Sequence, residues 1–180
     1  METPYSVRNE VATIRLEHTY TFKSLEVHEG SQLRDFLYLA VYVPPGCLPP
    51  DRAIIDAPLM TCYTQNWGKP DDFAMVAQTQ QSQPPVGIAW IRQMTHACPG
   101  YGFIDEMTPS LAISVLPSLR GQGIGTKLLT ELLSQAPSDR IGLSVQNSNQ
   151  AKRLYERMGF STIRESVDES IMVWTRLPPV

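Results

Sequence analysis

Hydrophobic side chains change their spacing several times along the chain, and each change marks an element. Residues 20–27 carry Tyr20, Phe22, Leu25 and Val27 in a loose alternation that predicts a first strand. Ser31 can cap a helix whose apolar face runs Leu33, Phe36, Leu37, Ala40 and Val41. The stretch 43–50 ends that helix, because proline lacks an amide proton and clashes with the preceding turn. Residues 52–65 read as one or two short helices and 67–72 as a turn. Two apolar runs, 73–79 and 86–94, read as strands joined by a hairpin loop at 80–85. In the first 19 residues, 11–16 reads either as a strand or as a segment lying over the core.

The second half has a clearer rhythm. A loop over 96–109 leads to a short strand at 110–116. A helix over 121–135 places Ile124, Leu128, Leu129, Leu132 and Leu133 on one face. A strand at 141–145 follows, then a helix over 149–158 with Ala151, Leu154, Tyr155 and Met158 on one side and Gly159 as its C-cap. Strands at 160–165 and 170–177 complete the pattern. This order predicts an α/β chain built on one mixed sheet with helices on both faces. Open sheets of this kind bind ligands beyond the carboxyl ends of their strands. The glycine-rich turn after Leu116 sits at such an end.

Composition narrows the classes. The 180 residues suit a single domain over 1–180. Hydrophobic residues at 42% and charged residues at 18% fit a globular chain, and a net charge of -3 does not fit a nucleic-acid or membrane-surface partner. No run of about 18 apolar residues predicts a membrane span, and Met1 to Glu10 lack the apolar stretch of a secretory signal. Cys47, Cys62 and Cys98 have no metal-ligand spacing, so no metal is expected. Their odd number excludes a full disulfide framework, and a reducing cytosol is the simplest compartment.

The strongest chemical signal is Leu116-Pro117-Ser118-Leu119-Arg120-Gly121-Gln122-Gly123-Ile124-Gly125-Thr126, between a predicted strand and a predicted helix. Three alternate glycines clear the backbone for a close ligand. First-turn helix amides have no intrahelical acceptor and sit at the positive end of the helix dipole. Together they make an anion site for a phosphate or pyrophosphate, to which Arg120 can add a charge-assisted contact. A dinucleotide fingerprint starting at Gly121 would need glycine where Thr126 stands, and a P-loop lysine would have to follow Gly125 directly. Taken alone, the turn is also compatible with no ligand at all.

A second stretch sharpens the reading. Arg120-x-x-Gly123-x-Gly125 matches the Q/R-x-x-G-x-G/A acetyl-coenzyme A loop of the GNAT superfamily of N-acetyltransferases. Asn149-x-Ala151-x-x-Leu154-Tyr155-x-x-x-Gly159-Phe160 resembles the signature that follows it there. The resemblance covers 109–177. Earlier, Trp67-Gly68 with Asp72 and the run Gly100-Tyr101-Gly102-Phe103 are similar to bacterial members.

The resemblance implies a central, mostly antiparallel mixed sheet of about seven strands and a cytoplasmic enzyme. That enzyme would transfer acetyl from acetyl-coenzyme A to a small-molecule or peptide amine by direct attack in a ternary complex. It places Ile113, Ser114 and Val115 against the pantetheine arm, with an amide near Val115 facing the thioester oxygen, an interaction worth ~3 kcal/mol in comparable sites. Arg120, Gly121, Gln122, Gly123, Ile124, Gly125 and Thr126 would hold the pyrophosphate. Asn149 would bind the cofactor or cap its helix. Tyr155 would be the general acid that protonates the coenzyme A thiolate, or else an inward packing residue. Family members are often homodimers, so a homodimer is one implied assembly.

The base is not assigned by the pattern. Many members carry a glutamate on the fourth strand, where Ser110 stands here. Asp105, Glu106 and His96 are nearby candidates, and water alone is another route. The cysteines have no histidine partner that would make one a nucleophile, and they read as buried thiols. A non-catalytic acyl-coenzyme A sensor or scaffold remains the alternative, and a nucleotide-binding enzyme a third. For the acceptor, the loop acids Asp51, Asp71, Asp72, Asp105 and Glu106 can attract a cationic amine.

Overall fold

Among the described residues seven strands form one sheet in the order β1-β2-β3-β4-β5-β7-β6. They are β1 Tyr20–Ser24, β2 Phe73–Thr79, β3 Pro85–Arg92, β4 Ser110–Val115, β5 Arg140–Gln146, β6 Ser161–Glu165 and β7 Glu169–Thr175. The computed structural model describes residues 20–79 and 84–178. The expectation for residues 11–16 and most of the hairpin loop before Pro85 therefore lie outside the described residues. All neighbours pair antiparallel except β4 and β5, which are parallel. The element order predicted one mixed sheet, and the family resemblance implied the mostly antiparallel arrangement found here.

Helices cover both faces. On one side lie α1 Leu33–Ala40 and the short α2 Pro58–Thr61; on the other lie α3 Ile124–Gln135 and α4 Ala151–Arg157. The apolar stripe of α3 puts Leu128, Leu129 and Leu132 out of solvent against Met75, Ala89, Leu143 and Met172. The stripe of α1 puts Leu33, Phe36 and Leu37 against Val76, Ile88 and Trp90. Burying each such side chain contributes about 1.5–3 kcal/mol. Being flanked on both faces explains why all eight residues of β3 are buried.

Element boundaries differ from the sequence reading in instructive places. β1 stops at Ser24, and a 3-10 helix over Val27–Gln32 begins with a capping box between Glu26 and Glu29. That turn runs directly into α1, so Gln32 takes the cap position expected of Ser31. The helix expected over 121–135 starts at Ile124 and not at Gly121, because Gly121 and Gly123 have φ of +77° and +84°. Such angles exclude α-helical geometry and favour glycine.

The cysteines are corrected. Cys62 and Cys98 are not buried thiols; they form a disulfide between residues 36 apart in sequence. Cys47 is free and exposed. The cysteines therefore give no support to a reducing compartment. Among the described residues no helix is long and apolar enough to cross a membrane, and no group of three metal-binding side chains occurs.

Candidate active site

The sheet is continuous on one side of β4 and open on the other. Towards β3, six residue pairs run from Arg92 with Ser110 to Gly87 with Val115. Towards β5 there is one pair, Ser110 with Gly142. It is supported by the Gly142 amide donating to the Pro109 carbonyl at 2.9 Å. From Leu111 onward the two strands part. Main-chain groups of β4 that point towards β5 then have no strand partner among the described residues, which leaves a slot able to take an extended ligand by added-strand hydrogen bonding. Ile113, Ser114 and Val115 form the β4 wall of that slot. Ser114 turns its hydroxyl to the α1 side and donates to the Phe36 carbonyl at 2.7 Å.

The glycine turn stands at the open end. Pro117–Leu119 form one 3-10 turn, after which Arg120 is extended. Among the described residues, Cβ atoms built at Gly121 or Gly123 would meet nothing within 4 Å, so the turn presents bare backbone there. Gly123 caps α3, and the Lys127 amide is the first shown to bond back into the helix, to the Gly123 carbonyl at 3.0 Å. The amides of Ile124, Gly125 and Thr126 belong to the unsatisfied first turn. Arg120 is tied locally: Nε donates to the Val115 carbonyl at 3.1 Å and Nη2 to the Leu39 carbonyl at 3.1 Å. It thereby pins the turn to the end of β4 and to α1. Gln122 is exposed and accepts a hydrogen bond from the Tyr20 hydroxyl at 3.2 Å.

Tyr155 lies on α4, in the core cluster that also holds Val115 and Ile124. Its ring is buried beside Phe160, with centroids 5.8 Å apart. Burial alone pushes the phenol up to about 12 from its ordinary value of 10.0, because a phenolate would lose its hydration. Asn149 accepts from the Ala151 amide at 2.9 Å, a local cap on the helix start. A network that no motif announced fixes the rest of α4. Lys152 Nζ donates to Glu165 at 2.8 Å, to the buried Ser170 hydroxyl at 2.8 Å and to Asn147 at 3.2 Å. It welds the helix to the β6–β7 hairpin and the end of β5.

On the α1 side of the sheet, α1, the segment of α2 and the loop after β3 pack together. Tyr42 reaches the Ser148 carbonyl at 3.0 Å, joining the segment after α1 to the loop after β5. Tyr63 is buried, and its hydroxyl accepts from the Tyr101 and Gly102 amides at 3.0 and 3.3 Å. Burial raises its pKa, and the hydrogen bonds from the Tyr101 and Gly102 amides offset part of that rise.

Ser110 is fully buried, and its hydroxyl has no hydrogen-bond partner among the described residues. Asp105 is paired with Arg140 at 2.7 Å, and bonding from Thr108, then Met107 and Arg140, holds its carboxyl below the usual range. Glu106 accepts from the His96 amide, and the His96 ring packs edge-on against Phe103. Of the other loop acids, Asp72 is buried with Arg92 at 3.3 Å and accepts from the Gly68 and Lys69 amides. Asp51 caps a 3-10 turn, and Asp71 is exposed.

The profile of the Acetyltransferase (GNAT) family matches residues 44–160. No curated protein matches the chain in sequence. Among solved structures, a chimera of the spermidine N-acetyltransferase SpeG from Vibrio cholerae with hSSAT superposes with a TM-score of 0.58. It is 16% identical, with 87% of this chain and 95% of that chain covered. The acetyltransferase of the GNAT family from Staphylococcus aureus Mu50 gives 0.60 at 18% identity, covering 87% and 99%. The structure of yncA from Salmonella typhimurium with its cofactor acetyl-CoA gives 0.59 at 15% identity, covering 90% and 96%. At these identities the likeness is one of fold.

Proposed function

The chain belongs to the acetyltransferase (GNAT) family, and from that premise we propose that it moves acetyl from acetyl-coenzyme A to a primary amine by direct attack in a ternary complex. The observation that carries this reading is the gap between β4 and β5 opening onto the uncovered glycine turn. We read residues 1–180 as one domain of this kind, with the coenzyme-binding part over 109–177.

The residues present fit a diphosphate carrier. Bare backbone at Gly121 and Gly123, followed by the first-turn amides of Ile124, Gly125 and Thr126, suits the pyrophosphate. Ile113, Ser114 and Val115 are assigned to the pantetheine by their unpaired edge. Arg120 shapes the turn through its two carbonyl contacts and offers its remaining N–H groups to the anion. Gln122 flanks it. Asn149 holds the start of α4 and with it Tyr155. When bound, acetyl-coenzyme A supplies the acetyl group already activated as a thioester.

Tyr155 is the proposed general acid. Its raised pKa keeps the hydroxyl protonated at neutral pH, so a proton stands ready for the departing sulfur. Holding both reactants in the slot supplies much of the remaining rate. A bacterial cytosol is the setting proposed, supported by the bacterial sources of the neighbours named above. The spermidine enzyme among them brings polyamines into the acceptor panel, and a homodimer is the assembly to look for.

Titration calorimetry with acetyl-coenzyme A, followed by thiol release over a panel of polyamines, peptides and amino sugars, tests the proposal. Micromolar binding with turnover of at least one amine is expected. A second reading, a non-catalytic acyl-coenzyme A sensor or scaffold, draws on Ser110, which is buried where many relatives have a glutamate. Binding without turnover on any amine favours it.

A further inference from the structure

The register of the fork fixes which side chains stand where it opens. Ser110 pairs with Gly142, and carrying that register two residues on puts Ala112 and Ser144 on the two sides of the opening fork. On β5, Ile141, Leu143 and Val145 face the α3 core, so Ser144 faces the α1 side. On β7, Ser170 points to Lys152 of α4, so Glu169 also faces the α1 side. There the Ser144 hydroxyl donates to Glu169 Oε2 at 2.8 Å.

Glu169 differs from the other acids near the slot. Asp72, Asp105 and Glu165 each have a cationic partner. The half-buried Glu169 forms no ion pair among the described residues, and Ser144 is the donor its carboxylate has. Tyr63 is joined to the same strand by geometry: its hydroxyl accepts from the Gly102 amide at 3.3 Å, and Gly102 lies against Ser144, with a Cβ built on it 3.0 Å from the Ser144 amide nitrogen. A partly desolvated carboxylate with no cation of its own is a site for one.

We propose that Glu169 is the acceptor carboxylate: positioned by Ser144, it holds a primary ammonium at the opening of the β4–β5 fork and takes its proton. This rests on the reading of the fork as the transfer site. One ammonium N–H bond breaks and an O–H bond forms on Glu169, while the nitrogen keeps the electron pair. That pair forms the C–N bond as the thioester C–S bond breaks, and the sulfur takes the Tyr155 proton. The second nitrogen proton leaves to water as the amide forms. Glu169 returns its proton to water and Tyr155 recovers one, so one proton is released per turnover.

The test uses the full chain with spermidine, an alanine-terminated peptide and glucosamine as acceptors. E169Q should bind acetyl-coenzyme A within twofold of the parent, which also reports an intact fold. On the best acceptor its kcat/KM should fall roughly 100-fold. Calorimetric affinity for that amine, measured with coenzyme A present, should fall at least tenfold. Ser144→Ala should raise KM several-fold with a smaller change in kcat, and Ser144→Thr should restore it. Parent values for E169Q in both turnover and amine binding overturn the inference. A parent protein that binds acetyl-coenzyme A but acetylates none of the amines also overturns it, while leaving the coenzyme assignment standing. Failure to bind acetyl-coenzyme A removes the reading beneath it.

Discussion

Gly102 lies directly against Ser144: a Cβ built on the glycine would sit 3.0 Å from the Ser144 amide nitrogen and 3.2 Å from the Leu143 carbonyl carbon. This contact seats the loop after β3 on β5, just where the fork begins. Both neighbours are main chain and cannot swing aside. Gly102→Ala should therefore lower stability by about 1–3 kcal/mol, the usual cost of overpacking. Urea unfolding measures it. The displaced loop should also loosen the Tyr63 contact and raise KM for the amine more than Kd for acetyl-coenzyme A.

For Tyr155, Phe substitution should reduce kcat by about 10²–10⁴-fold, the range for a lost general acid, with acetyl-coenzyme A affinity within twofold. Stopped assays at saturating substrate measure this. The pH dependence has a definite sign. Burial raises the folded pKa to about 12 from 10.0, so the folded state keeps its proton in a range where the unfolded chain has lost it. Stability is full below pH 10 and falls as pH rises from 10 towards 12, by about 3 kcal/mol in all. Alkaline unfolding of Tyr155→Phe should lack that component.

Gly123 separates backbone strain from ligand space. At φ +84° an alanine costs about 1–2 kcal/mol, but its methyl group meets nothing within 4 Å. Gly123→Ala should fold with that modest loss and still bind acetyl-coenzyme A at least tenfold more weakly. Calorimetry beside thermal melting resolves the two effects. Gly125→Ala, with its nearest contact at 3.8 Å, should melt within a few degrees of the parent.

The Cys62–Cys98 bond closes a loop across 36 residues. Removing it with Cys98→Ala should lower stability by about 2–4 kcal/mol. Dithiothreitol should shift the parent's melting temperature downward and leave the variant's unchanged.

How much of this was legible beforehand varies by residue. The inward face of Tyr155 follows from its spacing with Ala151 and Met158, and the α3 stripe from Leu128 to Leu132; local periodicity suffices for both. Glu169 sits between Asp168 and Ser170 in a polar stretch that reads as solvated. Its meaning depends on Ser144, and that contact exists because β7 inserts between β5 and β6. The disulfide is illegible for the same reason: α2 and the loop after β3 meet only in the folded chain. Arg120 was readable as a charge beside a phosphate turn, but its bonds to Val115 and Leu39 depend on where α1 packs. Glycine spacing does not reveal a left-handed cap, which is why the sequence pattern begins α3 at Gly121 and the structure begins it at Ile124.

The most direct test of the account is the amide spectrum of the isotopically labelled protein titrated with coenzyme A. Saturable shifts centred on Ile113 to Val115 and on Gly121 to Thr126 are predicted. Shifts confined to other parts of the sheet, with those amides unmoved at saturation, would contradict it.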